Sequence, residues 1–323
     1  MKDRYGRLIN YIRISVTDRC NLRCRYCMPE KIEAVPMKEI LSYEEILEVA
    51  EQAAAIGINR VKITGGEPLV RRGVERLIGM LKKVPGIEQV TLTTNGVLLE
   101  ERCKALKAAG IDGINVSLDT TDPVRYRDVT GSDALDAVLR GMKATIAEGI
   151  AVKVNAVSIA REDVLSMIDI ARDLPVDVRF IEMMPIGMGK NYPGISHSEL
   201  IPLLRERLDG FEPDDTPHGN GPAVYYRVPG LQGSIGLISA IHGKFCDSCN
   251  RIRLTSRGFL KSCLCYDRGV DMKGILRGGL TGEERCAAIR QGLEQCIYEK
   301  PEAHQFNRPE GISEEHEMYT IGG

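Results

Sequence analysis

From residue 11 to about residue 182, six short runs rich in β-branched residues alternate with longer amphipathic stretches, and this rhythm restricts the fold more than any other feature. The expected strands are residues 11–17, 60–64, 89–94, 114–118, 152–158 and 177–182, with five helices between them. The helix expected over 43–56 is the clearest. Ser42 and Glu45 form a capping box, Ile46, Leu47, Val49, Ala50, Ala53 and Ala54 make one apolar face, and Gly57 supplies the stop. Strand–helix alternation demands right-handed crossovers between parallel strands, so the sheet curves into a partial or complete barrel or lies open as a doubly wound sheet. Either way, chemistry belongs at the C-terminal ends of the strands. After Pro185 the rhythm gives way to Gly- and Pro-rich sequence. We therefore expect a barrel over residues 1–184 and a C-terminal extension over 185–323 docked on it.

The 323 residues are 43% apolar and carry 43 Lys and Arg against 45 Asp and Glu, a net charge of −2. That balance offers no general attraction to nucleic acid or a membrane surface. No run reaches the roughly 18 apolar residues of a membrane span, and the start lacks the apolar core of a signal peptide, so a cytoplasmic location is expected. Ten cysteines in a reducing compartment argue for metal or redox chemistry rather than disulfides. Cys103, Cys286 and Cys296 stand alone in helical segments and read as small buried apolar residues.

The other cysteines fall in two windows. Cys20, Cys24 and Cys27 directly follow the first strand, so three thiolates converge in one loop at a strand end. Structural zinc takes four protein ligands, and no nearby His or fourth Cys is offered. A 4Fe–4S cube held at three corners leaves one iron for a small molecule. This C-x₃-C-x₂-C pattern with Tyr26 before its last Cys resembles the radical S-adenosylmethionine superfamily. The resemblance implies that the open iron chelates the cofactor's methionine group and that the cofactor is cleaved to a 5′-deoxyadenosyl radical. Thr64-Gly65-Gly66-Glu67-Pro68 after the second strand is similar to the superfamily's GGEP loop. Thr93-Thr94-Asn95-Gly96 and Ser117-Leu118-Asp119 end the third and fourth strands. Taken singly, each of these is equally a turn or cap.

The second window holds Cys246, Cys249, Cys263 and Cys265, and on chemistry alone four cysteines also suit a closed zinc site. Arg251 and Arg253 point the same way from an extended segment, which suggests an anionic or purine-bearing ligand; a solvated basic face is the plain alternative. The run C-x₂-C-N-R-x-R-L-T, followed by Cys263, resembles the GTP 3′,8-cyclases of molybdenum cofactor biosynthesis. Gly6-Arg7, Arg13 to Arg19, Asp119 to Pro123, Arg179 to Glu182 and the terminal Gly322-Gly323 fit the same family.

That resemblance implies an α/β fold, an incomplete (βα)6 TIM-type barrel whose C-terminal extension carries a second cluster. It implies two 4Fe–4S clusters, held by Cys20, Cys24 and Cys27 and by Cys246, Cys249 and Cys263, with S-adenosylmethionine on the first and the guanine of GTP on the second. Cys265 is then a bystander, although its place two residues beyond Cys263 makes it the competing ligand. The implied reaction is removal of the 3′ hydrogen of GTP, addition of the ribose radical to guanine C8, and reduction to (8S)-3′,8-cyclo-7,8-dihydroguanosine 5′-triphosphate. S-adenosylmethionine contacts fall on Tyr26, Gly66, Ser117 and Met184, and GTP contacts on Arg13, Lys62, Thr93, Lys153, Arg179, Arg251 and Arg253. Arg251, Arg253, Gly322 and Gly323 carry the catalytic roles, the diglycine tail entering the pocket. Lys62 stands where the family usually has Arg and loses the bidentate fork. Implied partners are a reductant protein and a downstream cyclic pyranopterin monophosphate synthase, with neither nucleic acid nor membrane, and with a homodimer as the assembly allowed. The competing readings are a peptide-modifying radical enzyme and a non-catalytic iron–sulfur or zinc regulator.

Overall fold

In the computed structural model, which describes residues 1–32 and 35–322, the six expected runs become β1 (Tyr11–Ser15), β2 (Arg60–Thr64), β3 (Gln89–Thr94), β4 (Gly113–Ser117), β5 (Val152–Val157) and β6 (Asp177–Ile181). They pair in parallel in chain order. β2 and β3 coincide with the expected runs, and the others differ by one or two residues at an end. One side of each strand carries apolar residues such as Ile12, Ile14, Ile63, Leu92, Val116, Val154 and Phe180, buried to 2% exposure or less against the helices. The alternate side carries Arg13, Lys62, Thr93, Lys153 and Arg179 and lines an interior cavity. Burying one Val, Ile or Phe contributes about 1.5–3 kcal/mol, so the helix-facing side holds the barrel and leaves the inner side free for polar chemistry.

The helices are α1 (Tyr43–Ala55), α2 (Val74–Leu81), α3 (Leu99–Ala108), α4 (Pro123–Thr130), α5 (Leu135–Ala147) and α6 (Arg161–Asp173). The expected capping box is present on α1: Glu45 N donates to Ser42 Oγ (3.1 Å) and Ser42 N to Glu45 Oε2 (2.7 Å). Gly57 stops the helix at φ +93°. Among the described residues, six helices rather than five separate the strands, because the β4–β5 crossover holds two. α4 is set by Pro123 at its first turn, by Asp122 Oδ1 accepting from Arg125 N (2.8 Å), and by Gly131 at φ +70°.

The C-terminal part does more than dock. It forms α7 (His197–Arg207), β7 (Glu212–Asp214), β8 (Val224–Arg227), β9 (Ile235–Ile238), β10 (Arg251–Leu254), β11 (Phe259–Lys261), β12 (Gly269–Asp271), α8 (Met272–Arg277) and α9 (Gly282–Tyr298). Its strands extend the barrel sheet at both margins, in the order β12-β11-β10-β1-β2-β3-β4-β5-β6-β9-β8-β7. An incomplete barrel has two edges with unpaired backbone groups. β10 covers one by pairing parallel with β1, and β9 covers the other by pairing parallel with β6. Cys103 and Cys296 are buried in α3 and α9, as expected, whereas Cys286 in α9 is only half-buried. No helix among the described residues is long and apolar enough to cross a membrane.

Candidate active site

A cavity of about 810 Å³ runs through the barrel, and its wall includes Cys20, Cys24 and Cys27 as well as Cys246, Cys249 and Cys263. All six are free thiols. Cys265 is fully buried outside that wall, where its Sγ accepts from Gln305 N (3.4 Å).

The first cysteine loop leaves β1 and is held by the loop after β2. Gly66 N donates to Thr17 O (2.7 Å) and Glu67 N to Arg19 O (2.8 Å). A Cβ on Gly66 would lie 2.5 Å from Arg19 O and one on Gly65 2.7 Å from Thr17 O, so the close approach itself requires glycine. Buried Glu67 accepts from Leu69 N (2.9 Å), Thr94 Oγ1 (2.7 Å) and Asn95 N (2.6 Å). Asn95 in turn points its amide at Cys20 Sγ (3.8 Å). Burial pushes the Glu67 carboxyl up to about 7 against these three bonds. Tyr26 Oη donates to Asp119 Oδ2 (2.6 Å), whose other oxygen accepts from Val157 N (2.8 Å). Ser117 and Met184 line the same wall.

Burial pushes the Cys27 thiol up to about 12, with Cys20, Glu317 and Asp119 adding to the effect. Cys24 is raised well above its usual value by burial, then by Cys27, Asp119 and Cys20. Half-buried and raised in this way, the three groups stay protonated in a metal-free loop because their thiolates would repel one another, and a cationic cluster that relieves that repulsion finds in them a fitting donor set.

The second cysteine set is embedded in cations. Buried Arg7 bonds Asp3 Oδ2 (2.6 Å), Cys246 O (2.9 Å), Glu302 O (2.6 Å) and Pro301 O (2.6 Å), clamping the loop to α9's exit. Lys300 Nζ donates to Arg251 O (2.9 Å) and to Ser262 O. Burial alone would raise the Cys249 thiol, yet Lys300 and Arg251 outweigh it and hold the group below its usual value.

Between the two sets stand the strand cations. Arg13 is the register partner of both Lys62 and Arg253, so three cations project from adjacent strands roughly 4.8 Å apart. Burial, then Arg179, Arg13, Arg251 and Lys153, hold Lys62 well below its usual pKa. Arg253 is lowered well below its own by burial, Arg13 and Arg251. Arg179 Nε and Nη2, Arg251 Nε and Thr93 Oγ1 are buried with no hydrogen-bond partner among the described residues. Such groups point to an anionic, oxygen-rich ligand. Lys153 differs, since its Nζ donates to Asp177 Oδ2 (2.7 Å), Tyr225 Oη (3.3 Å) and His218 O, so its three donors are already engaged. Gly322 lies against Ser15 and Thr64 at φ +73°, and its carbonyl accepts from Arg253 Nη1 (2.7 Å). Gly323 lies outside the described residues.

Residues 14–174 match the model of the radical SAM superfamily and residues 176–306 that of Molybdenum Cofactor Synthesis C. The chain is 41% identical over 327 residues to the GTP 3′,8-cyclase of Clostridium perfringens (strain 13 / Type A), covering 100% of both chains. It is likewise 41% identical over 333 residues to that of Moorella thermoacetica, again with 100% of each chain covered. The chain belongs to the GTP 3′,8-cyclase family. Its fold is also similar to Streptococcus suis SuiB (TM-score 0.60, 16% identity), which covers 91% of this chain while the chain spans 66% of SuiB's length. GTP 3′,8-cyclases work with S-adenosylmethionine and two 4Fe–4S clusters, and the cysteine sets for both are present.

Several residues placed around this site carry no local sequence signal. Lys300 sits far from Cys249 in the chain and is recognisable only after α9 folds back. Asp177, Asp214 and His218, joined by 3.0 and 3.1 Å contacts, tie the loop between β7 and β8 into the cavity wall. In the sequence Arg7 is part of a Gly-Arg pair, and its clamp on Cys246 appears only with the fold.

Proposed function

We propose that the protein converts GTP to (8S)-3′,8-cyclo-7,8-dihydroguanosine 5′-triphosphate, the first step of molybdenum cofactor biosynthesis. The carrying observation is the set of buried, mutually repelling cations on β1, β2 and β10 inside the cavity that both cysteine sets line. A triphosphate bears about four negative charges and satisfies that set through charge-assisted bonds.

On this reading Cys20, Cys24 and Cys27 hold one cluster, Cys246, Cys249 and Cys263 hold the other, and the division at residue 184 separates the part that binds each. The first cluster with S-adenosylmethionine supplies, when bound, one-electron chemistry that removes a hydrogen atom from the substrate. The chain's own residues do the positioning. Asp119 fixes the Tyr26 ring at the cofactor's side of the cavity, and Gly66, Ser117 and Met184 shape that side. Arg13, Lys62, Arg179, Arg251 and Arg253 take the triphosphate, with Thr93 offering its free hydroxyl. Lys153 joins them by exchanging one of its present acceptors for a phosphate oxygen. Gly322 reaches the cavity on the tail, where a side chain would press on Ser15 and Thr64. Holding cofactor and substrate in one enclosed space makes proximity the chief contribution of the fold. The reading also calls for a cytoplasmic setting, a reductant protein and a downstream cyclic pyranopterin monophosphate synthase.

The test is anaerobic incubation of reconstituted protein with S-adenosylmethionine and a reductant, with and without GTP. We expect 5′-deoxyadenosine and the cyclised nucleotide only with GTP. Equal 5′-deoxyadenosine without GTP, and no altered nucleotide, would refute the assignment.

A further inference from the structure

The cation row does not stop at Arg253. Lys261 on β11 is the antiparallel register partner of Arg253, so Lys62, Arg13, Arg253 and Lys261 lie side by side across β2, β1, β10 and β11. Directly opposed residues project to the same face of a sheet. Lys62 and Arg253 have no carboxylate partner among the described residues. Lys261 has one: its ammonium bonds Glu314 Oε2, with the two side chains 1% and 0% exposed. Glu314 lies on the C-terminal tail, eight residues before Gly322.

The tail therefore meets the row twice, its carboxylate on Lys261 and its Gly322 carbonyl on Arg253. Between these points it is held at intervals. Glu314 N donates to Cys265 O (3.2 Å) and Met188 N to Glu317 Oε2 (2.8 Å). Ile321 packs in the small apolar cluster with Ile186, Leu264, Cys265 and Phe306. The second carboxylate oxygen of Glu314 is occupied by His316 N (2.9 Å) and Nδ1 (2.8 Å). The ligand atoms of Asp267, Glu314 and His316 converge, and the Lys261 ammonium is the cation among them, with Asp267 at 3.6 Å.

A buried ion pair is a weak source of net stability, and its best attested use is to fix register. Apolar residues at 261 and 314 would hold the tail down without fixing how far along β11 it sits. A single ammonium–carboxylate bond does fix it, and the eight residues that follow then deliver Gly322 to Arg253. We propose that the Lys261–Glu314 pair is a positioning device that seats the C-terminal tail in register on the cation row and so places Gly322 in the active site. The proposal rests on the reading of Gly322 as part of that site.

The test is hydrogen exchange by mass spectrometry on the reconstituted protein, comparing wild type with Glu314→Gln, Lys261→Met and Lys261→Arg, alongside turnover and the dissociation constants of GTP and S-adenosylmethionine. Local opening sets amide exchange, so peptides covering residues 315–322 should exchange about tenfold faster or more in Glu314→Gln and Lys261→Met, and close to wild type in Lys261→Arg. Strand peptides over 11–15 and 60–64 should be unchanged. kcat should fall about tenfold with both dissociation constants within about twofold, as expected when a positioning contact is lost without a binding contact. If a single variant fails to fold, the double variant Lys261→Met with Glu314→Leu leaves no buried unpaired charge; it should melt like wild type and still show the loosened tail. Unchanged tail exchange in variants that fold would overturn the anchor. A loosened tail with full turnover would uphold the anchor and instead remove Gly322 from the active-site reading.

Discussion

The two cysteine sets line one cavity yet sit in opposite electrostatic settings. Around the first, carboxylates outweigh cations: Glu67 acts on Cys20 more strongly than Arg23 does, and Glu317 and Asp119 act on Cys27. Around the second they are cations: Lys300 and Arg251 hold Cys249 below its usual pKa, whereas burial and its neighbours carry Cys27 to about 12. The difference teaches which molecule each end suits. A sulfonium-bearing cofactor is at home beside carboxylates, and a nucleoside triphosphate beside arginines. One barrel reconciles both because its C-terminal part brings in Arg251 on β10 and Lys300 after α9, while the loops after β2 and β4 and the C-terminal tail supply Glu67, Asp119 and Glu317.

The comparison breaks most visibly if either cysteine set is removed. Cys24→Ala should lower iron from about eight to about four per chain and stop S-adenosylmethionine cleavage altogether. Cys263→Ala should lose the same iron but keep S-adenosylmethionine binding, measured by equilibrium dialysis. Matching losses of cofactor binding in both variants would erase the distinction between the ends. Arg251→Ala removes one charge-assisted contact, which is worth about 1.5–3 kcal/mol. It should weaken GTP binding about 10- to 100-fold and leave S-adenosylmethionine binding unchanged. Tyr26→Phe deletes the hydroxyl held by Asp119. Loss of a hydrogen bond worth about 1–2 kcal/mol predicts a rise of roughly five- to thirtyfold in the dissociation constant for S-adenosylmethionine, with GTP binding unaffected.

A dependence on pH is expected from Glu67. Its folded pKa of about 7 lies above the ordinary 4.5, so the folded chain keeps a proton that the unfolded chain releases. Stability of the metal-free protein should therefore fall as pH rises from about 4.5 to about 7 and level off above that. Glu67→Gln should flatten this slope in thermal melts taken across the range. A slope of equal size in Glu67→Gln would assign it to another group.

Much of this is legible in the sequence. The capping box of α1 is a local signal, and the first cysteine loop follows the first strand directly, so both were readable from spacing. The glycines after β2 mark a tight loop in the sequence, but their close approach to the backbone of residues 17–19 is visible only in the fold. The alternation of Ile12, Arg13 and Ile14 marks a strand with one polar face, but it does not say that the polar face is an enclosed cavity. α4 escaped notice because it is short and its Asp122-Pro123 start reads equally as a turn. The edge strands escaped because β11 and β12 are three residues each, and β10 pairs with a strand 240 positions upstream. Pairing over that distance leaves no local pattern. Lys153 shows the limit most clearly: its position inside the barrel follows from strand period, while its engagement with Asp177, Tyr225 and His218 depends on a loop whose path only the fold reveals.

The central claim is that the two ends face one another closely enough for an atom to pass between their ligands. GTP deuterated at the ribose 3′ carbon, incubated anaerobically with the reconstituted protein, S-adenosylmethionine and a reductant, tests it directly. The account predicts that the 5′-deoxyadenosine formed carries deuterium. 5′-Deoxyadenosine that contains none, formed alongside recovered GTP with its label intact, would contradict it.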